Sequence, residues 1–105
     1  MDAQAFVAGW KHEKTSYIQM LKHGDLQASQ QVAALNLTPT QTEQLWSLLD
    51  TVLTDTMYTL LLGLDGAANI GGVQQNFQLI AESGKVVSTN GELEAEAFAQ
   101  FHAHA

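Results

Sequence analysis

Residues 39–62 read PTQTEQLWSLLDTVLTDTMYTLLL and carry the strongest helical pattern in the chain. Thr38 stands directly before Pro39, an order that favours the first turn of a helix, and Thr40 with Glu43 offers a competing capping box shortly afterwards. A helix that is apolar on all sides is packed on several faces. The apolar residues here cover nearly the whole circumference: Leu45, Trp46, Leu48, Leu49, Val52, Leu53, Met57, Tyr58 and Leu60 to Leu62. The sequence therefore predicts a central buried helix over residues 39–62.

Two further helices are predicted ahead of this segment. Asp2 is placed to cap the first, over residues 2–23, and Gly24 suits the left-handed position just past its end. Its apolar residues recur at three- and four-residue spacings on one stripe, namely Phe6, Val7, Trp10, Tyr17, Ile18 and Leu21. Residues 25–35 predict a shorter helix whose apolar face is poorly defined.

The period of the pattern changes after the central helix. Residues 73–80 alternate bulky and polar side chains, which is typical of a half-buried strand. A turn around Ser83-Gly84 and a short return strand complete a predicted β-hairpin over residues 73–88. An isolated hairpin is marginal in water, so it must pack on the helices or pair with another chain.

The last predicted element is a helix over residues 91–102. Thr89 and Glu92 have the spacing of a capping box. Leu93, Ala97 and Phe101 lie on one side of this helix, with Phe98 adjacent. The chain of 105 residues thus predicts a single α+β domain over residues 1–105: two N-terminal helices around the central helix, then the hairpin and the C-terminal helix.

The charge of the chain excludes several kinds of partner. Its net charge is −7, and its basic residues are four lysines with no arginine. Because nucleic-acid recognition depends on Lys and Arg contacts to phosphate, we expect no nucleic-acid partner. An anionic membrane surface is disfavoured for the same reason. The N-terminus has neither a basic start nor a long apolar run, so we expect a cytoplasmic protein of bacterial type.

Residues 63–72 hold four glycines in a loop that begins where the central helix ends. A phosphate-binding loop follows a strand, precedes a helix and carries a Lys-Ser/Thr pair. Here the order is reversed and the loop has no lysine. We therefore interpret the glycines as a helix end and a bend before the strand, with contact to a partner as the alternative, and we expect no cofactor.

Three side chains are the candidates for a functional site: Asp55, Tyr58 and Asp65. On the helical wheel Asp55 lies between leucine and valine positions, so we expect it at the edge of the core or partly buried. It is either a structural or solvated carboxylate, or a functional carboxylate with a raised pKa. Asp65, in the adjoining loop, could be its companion in acid/base chemistry or could coordinate a divalent ion, although nothing in the spacing requires either. No residue spacing predicts a metal site, and without cysteine thiolate chemistry is excluded.

Lys14 interrupts the apolar stripe of the first helix. Its stem can pack while its ammonium group reaches water, or it can form a salt bridge to an acidic residue on another element.

Two functions remain open at this stage. The acidity and the weakness of every catalytic motif favour a small protein-interaction module, such as an inhibitor or immunity-type neutraliser of a basic partner. The alternative is a small-ligand-binding protein or an enzyme built around Asp55, Tyr58 and Asp65. Self-association through the hairpin edge would extend the two strands to a four-stranded sheet.

Overall fold

A computed structural model describes residues 1–102 of the chain. This part contains four α-helices and one two-stranded antiparallel sheet. The elements are α1 (Ala3–Lys22), α2 (Gln27–Ala34), α3 (Pro39–Leu64), β1 (Leu79–Ile80), β2 (Val86–Ser88) and α4 (Glu92–Phe101). Helix α1 packs against both α3 and α4, and α3 packs against α4. The predicted α+β fold is confirmed.

Local capping interactions set the helix ends. An Asp2 carboxylate oxygen accepts a hydrogen bond from the Ala5 amide at 2.9 Å, as predicted for the start of α1. Thr38 and Gln41 form a reciprocal capping box around Pro39. The competing box at Thr40 was wrong, because the hydroxyl of Thr38 already accepts from an amide of the first turn.

The core lies where α1, α3 and α4 meet. Val7, Leu61 and Leu93 contribute one fully buried side chain from each helix, and Ala3 and Ala97 fill the space between them. Partly buried hydrophobic residues surround this cluster: Phe6, Trp10, Tyr58, Leu62, Leu64 and Phe101. The core therefore sits near the C-terminal end of α3.

The burial of α3 differs from the prediction of a central buried helix. In its middle, Leu48 is 57% exposed and Val52 is 48% exposed, whereas Leu61 is fully buried. Helix α2 is short, with eight residues. A hydrogen bond connects it to α1, since the buried Ser29 hydroxyl donates to the Leu21 carbonyl at 2.8 Å. The described chain thus covers α3 at one end and leaves one side of its middle open.

The predicted hairpin forms, but its strands are shorter than expected. Leu79 pairs with Ser88 and Ile80 with Val86, with an irregular register between them, and the turn has Gly84 at a φ of 89°. The expected strand over residues 73–78 was wrong. Ile70 and Val73 exchange two backbone hydrogen bonds of 2.9 and 3.1 Å across a tight turn, so Val73 does not join the ladder with β2.

Within residues 1–102, none of the helices combines the length and the apolar character that crossing a lipid bilayer requires.

Candidate functional site

The glycine-rich loop is shaped by contacts inside the protein. Gly63, in the last turn of α3, lies against the side chain of Ile70, and a Cβ atom at this position would collide with it. Gly66 follows with a φ of 78° and lies against Asn76. The Gln74 side-chain amide donates to the Gly66 carbonyl at 2.7 Å. These glycines allow the chain to reverse tightly after α3, which agrees with their interpretation as a helix end.

Asp65 connects this reversal to α4. It is 7% exposed, although it carries a carboxylate. Its Oδ1 accepts a hydrogen bond from the Gly91 amide at 3.0 Å, and its Oδ2 accepts from the Glu94 amide at 2.9 Å. A carboxylate at a helix N-terminus satisfies free amides and interacts favourably with the helix dipole. Asp65 therefore caps α4 from a distant part of the chain.

The predicted Thr89–Glu92 capping box forms in a modified way. A Glu92 carboxylate oxygen accepts hydrogen bonds from both the backbone amide and the hydroxyl of Thr89. These two bonds, the hydroxyl first, lower the pKa of Glu92 below its ordinary value of 4.5, because they stabilise the ionised form. The threonine hydroxyl donates here instead of accepting from the helix, and Asp65 supplies the acceptor in its place.

Tyr58 lies beside α4 on the outer surface of the α3–α4 contact. Its ring meets the His102 ring edge-on, with the ring centroids 4.4 Å apart, and the Phe98 and His102 rings are 6.5 Å apart. An open depression of about 550 Å³ runs along this surface. Its lining consists of Tyr58, Gly91, Glu94, Ala95 and Phe98, which we call the Tyr58–Phe98 depression.

Asp55 lies in a different depression. It is exposed, one turn before Tyr58, and it shares this second depression with Lys14, Asp50 and His102, among others. The Lys14 ammonium is 3.0 Å from the Asp50 carboxylate and donates to the Thr54 hydroxyl at 2.9 Å. The salt bridge considered for Lys14 is therefore present, on a side chain that is 13% exposed.

The three candidate residues thus have separate positions. Tyr58 lines the Tyr58–Phe98 depression, and Asp65 holds the Gly91 and Glu94 backbone that forms another wall of it. Asp55 lines the neighbouring depression. Sequence reasoning did not select Phe98 or Glu94, because their importance depends on how α4 crosses α3.

Charge is distributed unevenly over these elements. Helices α3 and α4 contain six carboxylates and no lysine: Glu43, Asp50, Asp55, Glu92, Glu94 and Glu96. Three of the four lysines are in α1, and Lys85 lies in the hairpin turn. The Tyr58–Phe98 depression, formed between α3 and α4, is accordingly on the acidic part of the molecule.

No group of three or more histidine, aspartate or glutamate residues within 1–102 is arranged to hold a metal ion. The family models, the curated proteins and the solved structures that we compared with the chain gave no match. Function is therefore argued from the geometry and charge of the depressions themselves.

Proposed function

We propose that this protein is an acidic protein-interaction module that binds a lysine- or arginine-bearing segment of a basic partner at the Tyr58–Phe98 depression. The observation that carries the proposal is Phe98, a phenylalanine that is 53% exposed beside a tyrosine on the acidic side of the fold. Exposed aromatic residues in a concave surface are frequent anchors of protein interfaces.

The chemistry of the depression suits a cationic side chain. A guanidinium or ammonium group is attracted to the face of an aromatic ring, and Tyr58 and Phe98 supply two rings. Glu94 lies one turn before Phe98 on α4 and lines the same depression. Its carboxylate offers a charge-assisted hydrogen bond to the cation that the rings attract.

The support from Asp65 makes one wall of the depression rigid. Its two carboxylate oxygens hold the amides of Gly91 and Glu94, so the first turn of α4 is in place before a partner arrives. A surface that is ordered in advance loses less conformational entropy on binding.

The net charge of −7 supports the choice of a basic partner. Clustered carboxylates accelerate the approach of a positively charged protein and disfavour acidic ones. An inhibitor or immunity-type role follows from the same chemistry, because a module that covers the basic surface of another protein blocks what that surface binds.

The alternative of a small-ligand site or an enzyme around Asp55, Tyr58 and Asp65 has less support. Both carboxylate oxygens of Asp65 are engaged by α4 amides, and Asp55 lines a different depression from Tyr58. Acid/base chemistry by a pair of carboxylates requires that both reach one substrate.

Copurification of the tagged protein from its native cell at low salt tests the proposal. A basic protein should be recovered in near-stoichiometric amount with the wild type. Phe98→Ala and Glu94→Lys should each lower its recovery about tenfold or more, the effect of an interface hot spot. Phe77→Ala is the matched control, since Phe77 is 47% exposed and does not line the depression. Recovery of no basic protein, or equal recovery with all variants, would contradict the proposal.

A further inference from the structure

The paired helices α1 and α3 have a second side, which α4 does not cover. Two grooves lie along it. One is lined by Phe6, Trp10 and Met57 among others, and the other by Tyr17 and Val52 together with Val32 and further residues of α2. Along α1 the lining residues Phe6, Trp10 and Tyr17 recur at four- and seven-residue spacings, so both grooves follow the same side of this helix. We call this surface the α1–α3 face. Among the described residues, none from the hairpin or α4 lines either groove.

The α1–α3 face is nearly free of charge. Among the described residues, seven line the first groove and ten line the second, and Glu13 has the one charged side chain in the two sets. This contrasts with the carboxylates that are spread over the rest of α3 and α4. A basic partner is therefore attracted to another part of the surface, whereas a second copy of the chain meets this face with few carboxylates opposed to each other.

The size of the face is sufficient for an interface. Helix α1 has 20 residues, so it is about 30 Å long, and two adjacent helices are about 20 Å wide. With the part of α2 that lines the second groove included, the face offers roughly 600 Å² per copy, or about 1,200 Å² for two copies, which is the lower end of the standard size for a specific interface.

The shape of the single chain agrees with an open side. Its extents are 47 × 28 × 28 Å, and its radius of gyration is 16.2 Å, against about 13 Å for a compact domain of about 100 residues. Large apolar side chains remain exposed on this face, including Tyr17 and Val52. Monomers rarely expose contiguous apolar surface of this extent without a function for it.

We infer that a second copy of the chain covers the α1–α3 face, so that this face, with α2 at one end of it, packs on its counterpart around a two-fold axis. A two-fold interface uses the same surface on both subunits. The hairpin edge, the other surface predicted for self-association, has strands of two and three residues and offers fewer groups for pairing.

Light scattering over a concentration series, with Asp variants, tests this inference. The wild type should reach twice the 11.4 kDa mass of one chain, and Val52→Asp should remain at the mass of one chain with an unchanged helical circular-dichroism signal. Phe77→Asp, at a similarly exposed residue near β1, should dimerise like the wild type. A wild type that stays monomeric at all concentrations, or a Val52→Asp variant that still dimerises, would overturn the inference.

A thiol footprint locates the contact independently of these variants, because the chain has no native cysteine. The alkylation rate of Val52→Cys should fall severalfold as the protein concentration rises, and that of Phe77→Cys should stay constant. Protection of Phe77→Cys instead would assign the contact to the hairpin side and overturn the inference.

The dependence of binding on salt concentration distinguishes this interface from the proposed partner site. Dimerisation of two acidic chains through an apolar face should strengthen as salt screens their repulsion, whereas binding of a basic partner should weaken. A dimer that dissociates as salt increases would contradict an apolar interface. Loss of the dimer would leave the Phe98 experiment unaffected, so the two proposals can fail separately.

Discussion

The C-terminal end and the middle of α3 are both rich in leucine but have different surroundings. Near the C-terminus, Leu61 is fully buried among residues of α1 and α4, whereas Leu48, in the middle, is 57% exposed. Both are leucines in a helix that is apolar nearly all round. The apolar pattern of a helix therefore does not determine how much of it one chain buries, because burial depends on which other elements pack against each part of the helix.

The largest contrast should appear when each leucine is shortened. Leu61→Ala removes a side chain from the closed core, which costs about 2–5 kcal/mol of the free energy of unfolding. Leu48→Ala should change it by less than about 0.5 kcal/mol in dilute protein. Urea unfolding of both variants, followed by circular dichroism, measures the contrast. Equal losses would mean that the open side of α3 is covered within a single chain.

The cap of α4 should come next in magnitude. Asp65→Ala leaves the Gly91 and Glu94 amides without their side-chain acceptor, and the loss of such a cap costs about 0.5–2 kcal/mol. Asp65→Asn retains one acceptor oxygen and should lose less. Amide hydrogen exchange in α4 should accelerate more than exchange in the middle of α3. Unchanged exchange in α4 would show that the Asp65 carboxylate does not hold this helix.

A double-mutant cycle at the loop should give a smaller effect. Gly63→Ala brings a Cβ atom against Ile70, and such overpacking costs about 1–3 kcal/mol, partly offset by about 1 kcal/mol from the higher helix propensity of alanine. Ile70→Ala removes the colliding atoms, so the same glycine change should be neutral or stabilising in that background. Additive losses in thermal unfolding would contradict the close approach of Gly63 and Ile70.

Interactions within four residues were the part of the fold that the sequence predicted well. The cap at Asp2, the start of α3 at Thr38 and Pro39, and the turn at Gly84 depend on neighbours along the chain. The strand predicted from residue 73 failed because the backbone of Val73 pairs with Ile70 instead. Alternating side chains show which faces could be buried, but they do not show which strand will pair.

The candidate site depends on contacts between distant residues. Asp65 was selected from the sequence as a loop carboxylate, yet its partners are 26 and 29 residues away, a separation that no local pattern records. Phe98 carried a signal that was not used: it stands off the stripe formed by Leu93 and Ala97, so an exposed aromatic could have been expected. Tyr58 and Phe98 become neighbours of one depression only when α4 packs on α3.

The salt bridge of Lys14 tests the side of the α1–α3 pair that α4 borders. Asp50→Asn should lower the free energy of unfolding by about 0.2–1 kcal/mol, because the aspartate side chain is 54% exposed and water screens the pair. Glu43→Gln removes an equal charge from the same helix as a control. The loss at Asp50 should shrink in high salt. A loss that salt does not change would indicate that packing, and not charge, accounts for it.

The smallest effect should come from Glu92, whose carboxylate is exposed at the first turn of α4. Its pKa in the folded protein is lowered from 4.5 by the hydrogen bonds from Thr89, so the ionised form stabilises the fold. This contribution is fully present above pH 4.5 and is lost as the pH falls through the lowered folded value. The melting temperature of Glu92→Gln should therefore lie slightly below that of the wild type at neutral pH, and the two melting temperatures should converge in acid.

Glu94→Gln is the control. It removes a carboxylate from the same turn, but one without the bonds to Thr89, so it separates the effect of these bonds from the general effect of charge at a helix end. If both variants show the same pH dependence, the hydrogen bonds from Thr89 add nothing to the stabilisation that a carboxylate gains from the helix dipole.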